Sequence, residues 1–264
     1  MAIFNSSGNS RIPIKLILAV GIIVFSFIKY WSNSEKNPWT GRKQHISIEP
    51  NQEIALGIES APQMAQEFGG LHPDQELQNL VDQVGQRLVQ YTIAKETPYQ
   101  YDFHLLRDPN TINAFALPGG QIFITYGLMS KLTTEDQLAG VLGHEMGHVL
   151  GRHSAERIAK QDLTGGIVNG VLIGSDGSQS AAQTAAMIGN VVNMKYGRED
   201  ELESDDLGVR FMIDAGYNPK EMIKVMEILK AAGGGQRVPE FQSTHPDPEN
   251  RIEKIKASIE KYKK

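Results

Sequence analysis

Leu138-Ala-Gly-Val-Leu-Gly-His-Glu-Met-Gly-His-Val-Leu-Gly151 is an apolar run that carries two histidines and a glutamate. On a helix, His144 and His148 lie one turn apart on the same face. Two imidazoles at that spacing can grip one metal ion, and Glu145, just to the side, can reach a water held by the same ion. A buried apolar helix gains nothing from three such groups unless something satisfies them. Zinc is the usual occupant, and hydrolysis its usual use. A solvated surface helix would show charge every turn, yet nothing charged except Glu145 lies between Asp136 and Arg152. Thr134 reads as the N-cap, with Gln137 as its capping-box partner and Glu135 and Asp136 in the first turn.

Zinc needs a third protein ligand and an open position. A histidine ten residues after His144 would supply one route, but that position is Ser154, and His153 falls one residue short. The other route is a carboxylate from a second helix. The stretch from Tyr196 to Gly216 reads as helical, with Leu202, Val209, Phe211, Met212 and Ile213 apolar. Glu201 and Asp205 are four apart and share a face, so one can bind metal while the other orients a ligand imidazole. An acidic first turn is also what any helix N-terminus favours.

His-Glu-Met-Gly-His followed by Glu-x-x-x-Asp resembles the gluzincin peptidases related to HtpX, BepA and the CAAX prenyl proteases. Three more stretches agree: Asn113 to Thr125, His148-Val-Leu-Gly-Arg-His-Ser154, and Thr244-His-Pro-Asp-Pro-Glu-Asn-Arg-Ile252. The resemblance runs from about residue 50 to the C-terminus and is nearest in type to the periplasmic BepA-like members without their TPR region. It implies that Glu201 is the third ligand to one zinc per chain and Asp205 an orienting carboxylate. Glu203 is the competing choice.

The chain has 264 residues, and residues 50–264 suffice for one domain with a sizeable core. With 26 basic and 31 acidic residues the net charge is −5, and no basic cluster suggests a nucleic-acid partner. There is no cysteine. That excludes a disulfide framework, a cysteine nucleophile and a cysteine metal site together.

After a short tail, residues 1–11, the stretch Ile12 to Trp31 is mostly Ile, Leu, Val and Phe, about the length of one membrane helix. No small-x-small site follows Phe27, which favours a retained signal anchor over a cleaved leader. Tyr30 and Trp31 suit an interface. Arg11 and Lys15 favour a cytoplasmic N-terminus, although Lys29, Lys36, Arg42 and Lys43 blur the count. The resemblance implies a bacterial inner-membrane protein, single-pass, with its catalytic domain in the periplasm. Residues 32–49 read as a polar linker.

Helices are expected over about 51–67 and 74–92, and strands over Tyr101–Leu106, Ile112–Leu117 and Gln121–Thr125. The fold class expected is α+β: a mainly helical zincin domain with a small sheet, preceded by one membrane helix. Zincins commonly hold an extended peptide against an exposed sheet edge. Asn113 and Ala114 are similar to the substrate-binding edge of other gluzincins, while Phe115 can still pack inward.

By residue type alone, His245 before a proline reads as a surface turn. The resemblance places it near the metal, where it can hydrogen-bond an oxyanion or occupy the open metal position and silence the enzyme. Arg251 can pair with a nearby carboxylate. His45, His72, His104 and His153 read as structural or exposed. Residues 163–194 contain one charge, Asp176, and read as a surface loop, a lid, or a surface resting on lipid or a partner.

The expected function is that of a membrane-tethered zinc endopeptidase with protein or peptide substrates. Glu145 would activate the water and pass its proton to the leaving amine. The resemblance further implies quality control of misfolded envelope proteins, beside the envelope assembly machinery. An envelope chaperone using the same fold with little turnover is the rival, and the intact Glu145 argues against it. Intramembrane proteolysis is disfavoured because a single span precedes the motif.

Overall fold

The computed structural model describes residues 13–174, 196–232, 241, 243, 245 and 250–263. The tail at 1–11, residues 175–195 with Asp176, and most of the Thr244–Ile252 motif lie outside these. Helix α1, Ile14–Ser32, begins after Pro13. Among the described residues it is the one helix long and apolar enough to cross a membrane. Its outer face is open, with Ile14, Phe25 and Trp31 about 70% exposed (74%, 67% and 71%).

The polar stretch expected as a plain linker carries a hairpin. Strand β1, Ser34–Lys36, pairs antiparallel with β2, Lys43–His45. Strands of three polar residues have no apolar alternation to betray them. They are held by tertiary bonds instead: Asn37 and Gln44 are buried, and their amides donate to the carbonyls of Leu150 and Gly151.

Next come α2, Pro50–Glu67, and α3, Gln75–Tyr91, the latter capped by Asp74, which accepts from the backbone of Glu76 and Leu77. Three strands follow: β3, Asp102–Leu106; β4, Ala114–Ala116; and β5, Gln121–Thr125. The order is β3-β5-β4, with β3 parallel and β4 antiparallel to β5. Strand β4 is shorter than the expected 112–117, because Asn113 turns its backbone N–H to the Thr125 hydroxyl. The turn at Pro118–Gly120 needs glycine at 119: φ is +81°, and a Cβ there would meet Ile54 Cα at 2.3 Å. One sheet face is covered by α3, where Gly85 leaves room for the ring of Phe103. On the other, Phe68, Phe115, Phe123 and His104 form a row of ring contacts.

The short α4, Tyr126–Met129, leads into α5, Glu135–Leu150. Thr134 caps α5 as expected, accepting from Gln137 N. The other half of the capping box differs: the Gln137 carboxamide accepts from Thr133 and donates to Glu221. Every residue from Gln137 to Leu150 is buried, so α5 is the central helix. Helix α6, His153–Gly174, includes the first part of the expected 163–194 loop. It lies antiparallel on α1, with Gly166 against Ser26, Gly170 against Ile23 and Gly174 against Ala19. Helices α7, Arg198–Asp214, α8, Glu221–Ala232, and α9, Arg251–Tyr262, complete the described elements.

Candidate metal centre

Helices α5 and α7 meet through small residues. Gly147 faces Ser204, where a Cβ would come within 2.8 Å of Ser204 Cα, and Gly208 lies against the backbone of His144. This close approach brings the acidic face of α7 to the imidazoles of α5. Nε2 of His144 and Nε2 of His148 stand 3.1 Å apart. Glu201 presents Oε2 at 3.6 Å from the first and Oε1 at 3.4 Å from the second. His245 adds Nδ1, 3.1 Å from Glu201 Oε1 and 3.4 Å from His144 Nε2. One donor atom from each of these four buried residues falls within 4.8 Å of all the others. Glu203 is not among them; its carboxylate turns away to His153 and Arg42.

The donor set fits a metal. Both carboxylate oxygens of Glu145, Oε2 of Glu201 and Nε2 of His245 are buried without a hydrogen-bond partner among the described residues. Leaving that many polar atoms unsatisfied in a packed interior costs several kcal/mol. A cation at the shared focus of two imidazoles and a carboxylate removes much of that cost, and nitrogen with oxygen ligands suits zinc.

Electrostatics follow from burial and partners. Burial pushes the Glu145 carboxyl above its usual range, against the opposing pull of His245 and His144. For Glu201 burial pushes the same way, but hydrogen bonds from His148 and His245 outweigh it and hold the carboxyl well down. Burial lowers the His148 imidazole, with Glu201 countering only in part. Glu203 is raised by burial yet held down to about 2 by hydrogen bonds from His153 and Arg42.

Behind the centre, Asp205 Oδ1 stands 2.9 Å from His144 Nδ1, and Arg251 closes on Asp205 with bonds of 2.6 and 2.9 Å. Arg251 also approaches Glu201 at 3.4 Å. Glu145 projects to the other side, 3.7 Å from His245 Nε2.

Three residues at the centre carried no expected role there. Tyr196 stacks on His148 with centroids 4.0 Å apart, and Phe241 on His245 at 4.4 Å. His153, read from sequence as structural, places Nδ1 2.9 Å from His148 Nδ1. A continuous helix would have carried it off that face. The left-handed backbone of Arg152, φ 56°, breaks α5 from α6 and folds His153 back. His45, His72 and His104 stack instead on Tyr30, Tyr126 and Phe123.

Asn113 and Ala114 are buried; Ala114 opens the edge strand β4, but Asn113 precedes it and turns both main-chain groups to Thr125, so it differs from the expected peptide-binding edge. No described strand flanks the free side of β4. Two residues before β4, Ile112 O accepts from Phe241 N at 3.2 Å.

A helix-borne imidazole pair, a carboxylate from a second helix and a small sheet define a metallopeptidase. Residues 75–259 match peptidase family M48, and the chain belongs to that family. It is 29% identical over 232 residues to mitochondrial metalloendopeptidase OMA1 of Schizosaccharomyces pombe, which covers 86% of this chain and 67% of that protein. Against OMA1 of Saccharomyces cerevisiae the identity is 28% over 243 residues, 86% of this chain and 69% of the relative. With the beta-barrel assembly-enhancing protease of Escherichia coli K12 it shares 30% over 188 residues, 68% of this chain but 38% of that protein.

Proposed function

We propose that the chain is a zinc-dependent endopeptidase held in a bacterial inner membrane by α1, with its catalytic domain in the periplasm, that cleaves misfolded or misassembled envelope proteins. The observation that carries the proposal is the buried Glu145 carboxylate, without a hydrogen-bond partner among the described residues, beside the focus of His144, His148 and Glu201. Those three residues would hold one zinc ion per chain. Zinc, when bound, supplies Lewis acidity toward water and the scissile carbonyl. Glu145 takes the proton from the attacking water and delivers it to the leaving amine, a task that suits a carboxyl raised by burial. Asp205, clamped by Arg251, orients His144. The free edge of β4 at Ala114 aligns the peptide by main-chain hydrogen bonds, while the main chain of Asn113 is taken up by Thr125.

His245 is read here as a built-in plug rather than a catalytic donor. Its Nδ1 sits among the ligand atoms, and its backbone N–H donates to Phe241, which in turn donates to Ile112, two residues before β4. This placement suits a resting state in which the open metal position is covered. Envelope work is supported by the names of the relatives, one a mitochondrial metalloendopeptidase, another a beta-barrel assembly-enhancing protease.

The test is Glu145→Gln in the full chain. Retained zinc with hydrolysis of an unfolded protein substrate reduced at least about a hundredfold supports the scheme. Unchanged hydrolysis overturns it.

A further inference from the structure

His144 and His148 both turn Nε2 toward the shared centre, and each has its Nδ1 held from behind. For His144 the holder is a carboxylate, Asp205. For His148 it is another imidazole, with Nδ1 of His153 2.9 Å away. His153 is buried, and its far nitrogen lies 3.0 Å from Glu203 Oε2. That oxygen also accepts from Arg42 Nη1 at 2.8 Å. The second amino group of Arg42 bonds Glu156 at 3.0 Å and Asp200 at 2.6 Å.

Two imidazole nitrogens can bond only if one carries a hydrogen. A metal on His148 Nε2 needs that lone pair, so the single ring proton sits on Nδ1 and is donated to His153. His153 then accepts at Nδ1, and its own proton sits on Nε2, directed to Glu203 Oε2 at 3.0 Å; Arg42 Nη1, 3.2 Å from that nitrogen, gives its shorter bond, 2.8 Å, to the same oxygen. The reverse assignment would put a hydrogen on His148 Nε2, facing Glu201 Oε1 at 3.4 Å. That atom would then be closed to a metal.

We propose that His153, held by Glu203 and Arg42, is the positioning residue for His148, fixing the tautomer and ring orientation that leave Nε2 open to zinc. The proposal rests on the zinc reading above. The two α5 ligands are thus supported differently, His144 directly by a carboxylate and His148 through a relay. The relay ends on Arg42, between β1 and β2, so the hairpin that follows α1 is wired to the metal ligand. His153 itself touches neither substrate nor the focus of the four donors.

The test uses the full chain in detergent, with zinc affinity read by competition against a chromophoric chelator. Glutamine at 153 can accept from His148 through its oxygen and donate to Glu203 through its nitrogen. His153→Gln should therefore stay within about threefold of the parent, while His153→Leu should bind zinc about 10- to 100-fold more weakly. Glu203→Ala, which removes the acceptor, should weaken zinc by at least about threefold. In the zinc-loaded parent, nitrogen NMR should find the His153 proton on Nε2. His153→Leu with parental affinity, His153→Gln as weak as His153→Leu, or a His153 proton on Nδ1 would each overturn the proposal. If His153→Leu does not fold by circular dichroism, Glu203→Ala with parental affinity overturns it. A parent chain that takes up no zinc would overturn the zinc reading itself, a separate result.

Discussion

Nδ1 of His245 stands 3.1 Å from Oε1 of Glu201, closer than either α5 imidazole comes to that carboxylate. A neutral imidazole at such a position competes for the coordination site that water needs. His245→Ala is expected to raise hydrolysis of an unfolded protein severalfold with zinc retained. A loss of about 10²- to 10³-fold in kcat would instead assign His245 to stabilising the oxyanion. Unchanged kinetics would remove it from both roles.

Metal analysis of the gently purified full chain should find one zinc per chain, and chelation should abolish peptidase activity until zinc is restored. A chain that neither carries zinc nor takes it up would refute the metal assignment.

The third ligand can be separated from its neighbour two residues on. Glu201→Gln should weaken zinc binding strongly, because its carboxylate meets both α5 imidazoles. Glu203→Gln keeps an acceptor for His153 and should leave most of the affinity intact. The opposite ranking in a chelator competition would transfer the ligand role to Glu203.

Gly147→Ala should destabilise the fold, since the added methyl would meet Ser204 Cα at 2.8 Å in a contact that has no slack. Overpacking of this kind costs about 1–3 kcal/mol. A denaturant midpoint equal to that of the parent would show that α5 and α7 can move apart freely.

The N-terminal segment should be retained as an anchor. Alkaline carbonate should fail to strip the protein from membranes, and mass spectrometry should find the segment before Phe27 intact. A mature N-terminus after residue 27 would mean a cleaved leader.

The buried helix at 135–150 was legible because its chemistry conflicts with its surroundings. Three ionisable groups in the apolar run from Leu138 to Gly151 have few explanations, and Glu201 with Asp205 supplied the matching face. The strands at 102–106 and 121–125 were legible from alternation and turn residues. His153 was not, because its role depends on the helix break at Arg152, and φ 56° on an arginine has no signature in the sequence. Arg42 was hidden for a different reason. It lies over a hundred residues from its partners Glu156, Asp200 and Glu203, in a polar stretch with no periodicity.

The hairpin after α1 gives a cut in that stretch two effects. Asn37 and Gln44 hold the last carbonyls of α5, and Arg42 neutralises three carboxylates that would otherwise face one another in a half-dry interior. A shed domain beginning near residue 50 would leave all three side chains behind. Release and inactivation would then be a single event, so a clipped copy drifting among folded proteins would be a spent one. The same dependence warns against trimming the chain at residue 50 to obtain a soluble enzyme: such a fragment should bind zinc poorly, and adding back metal alone should not revive it.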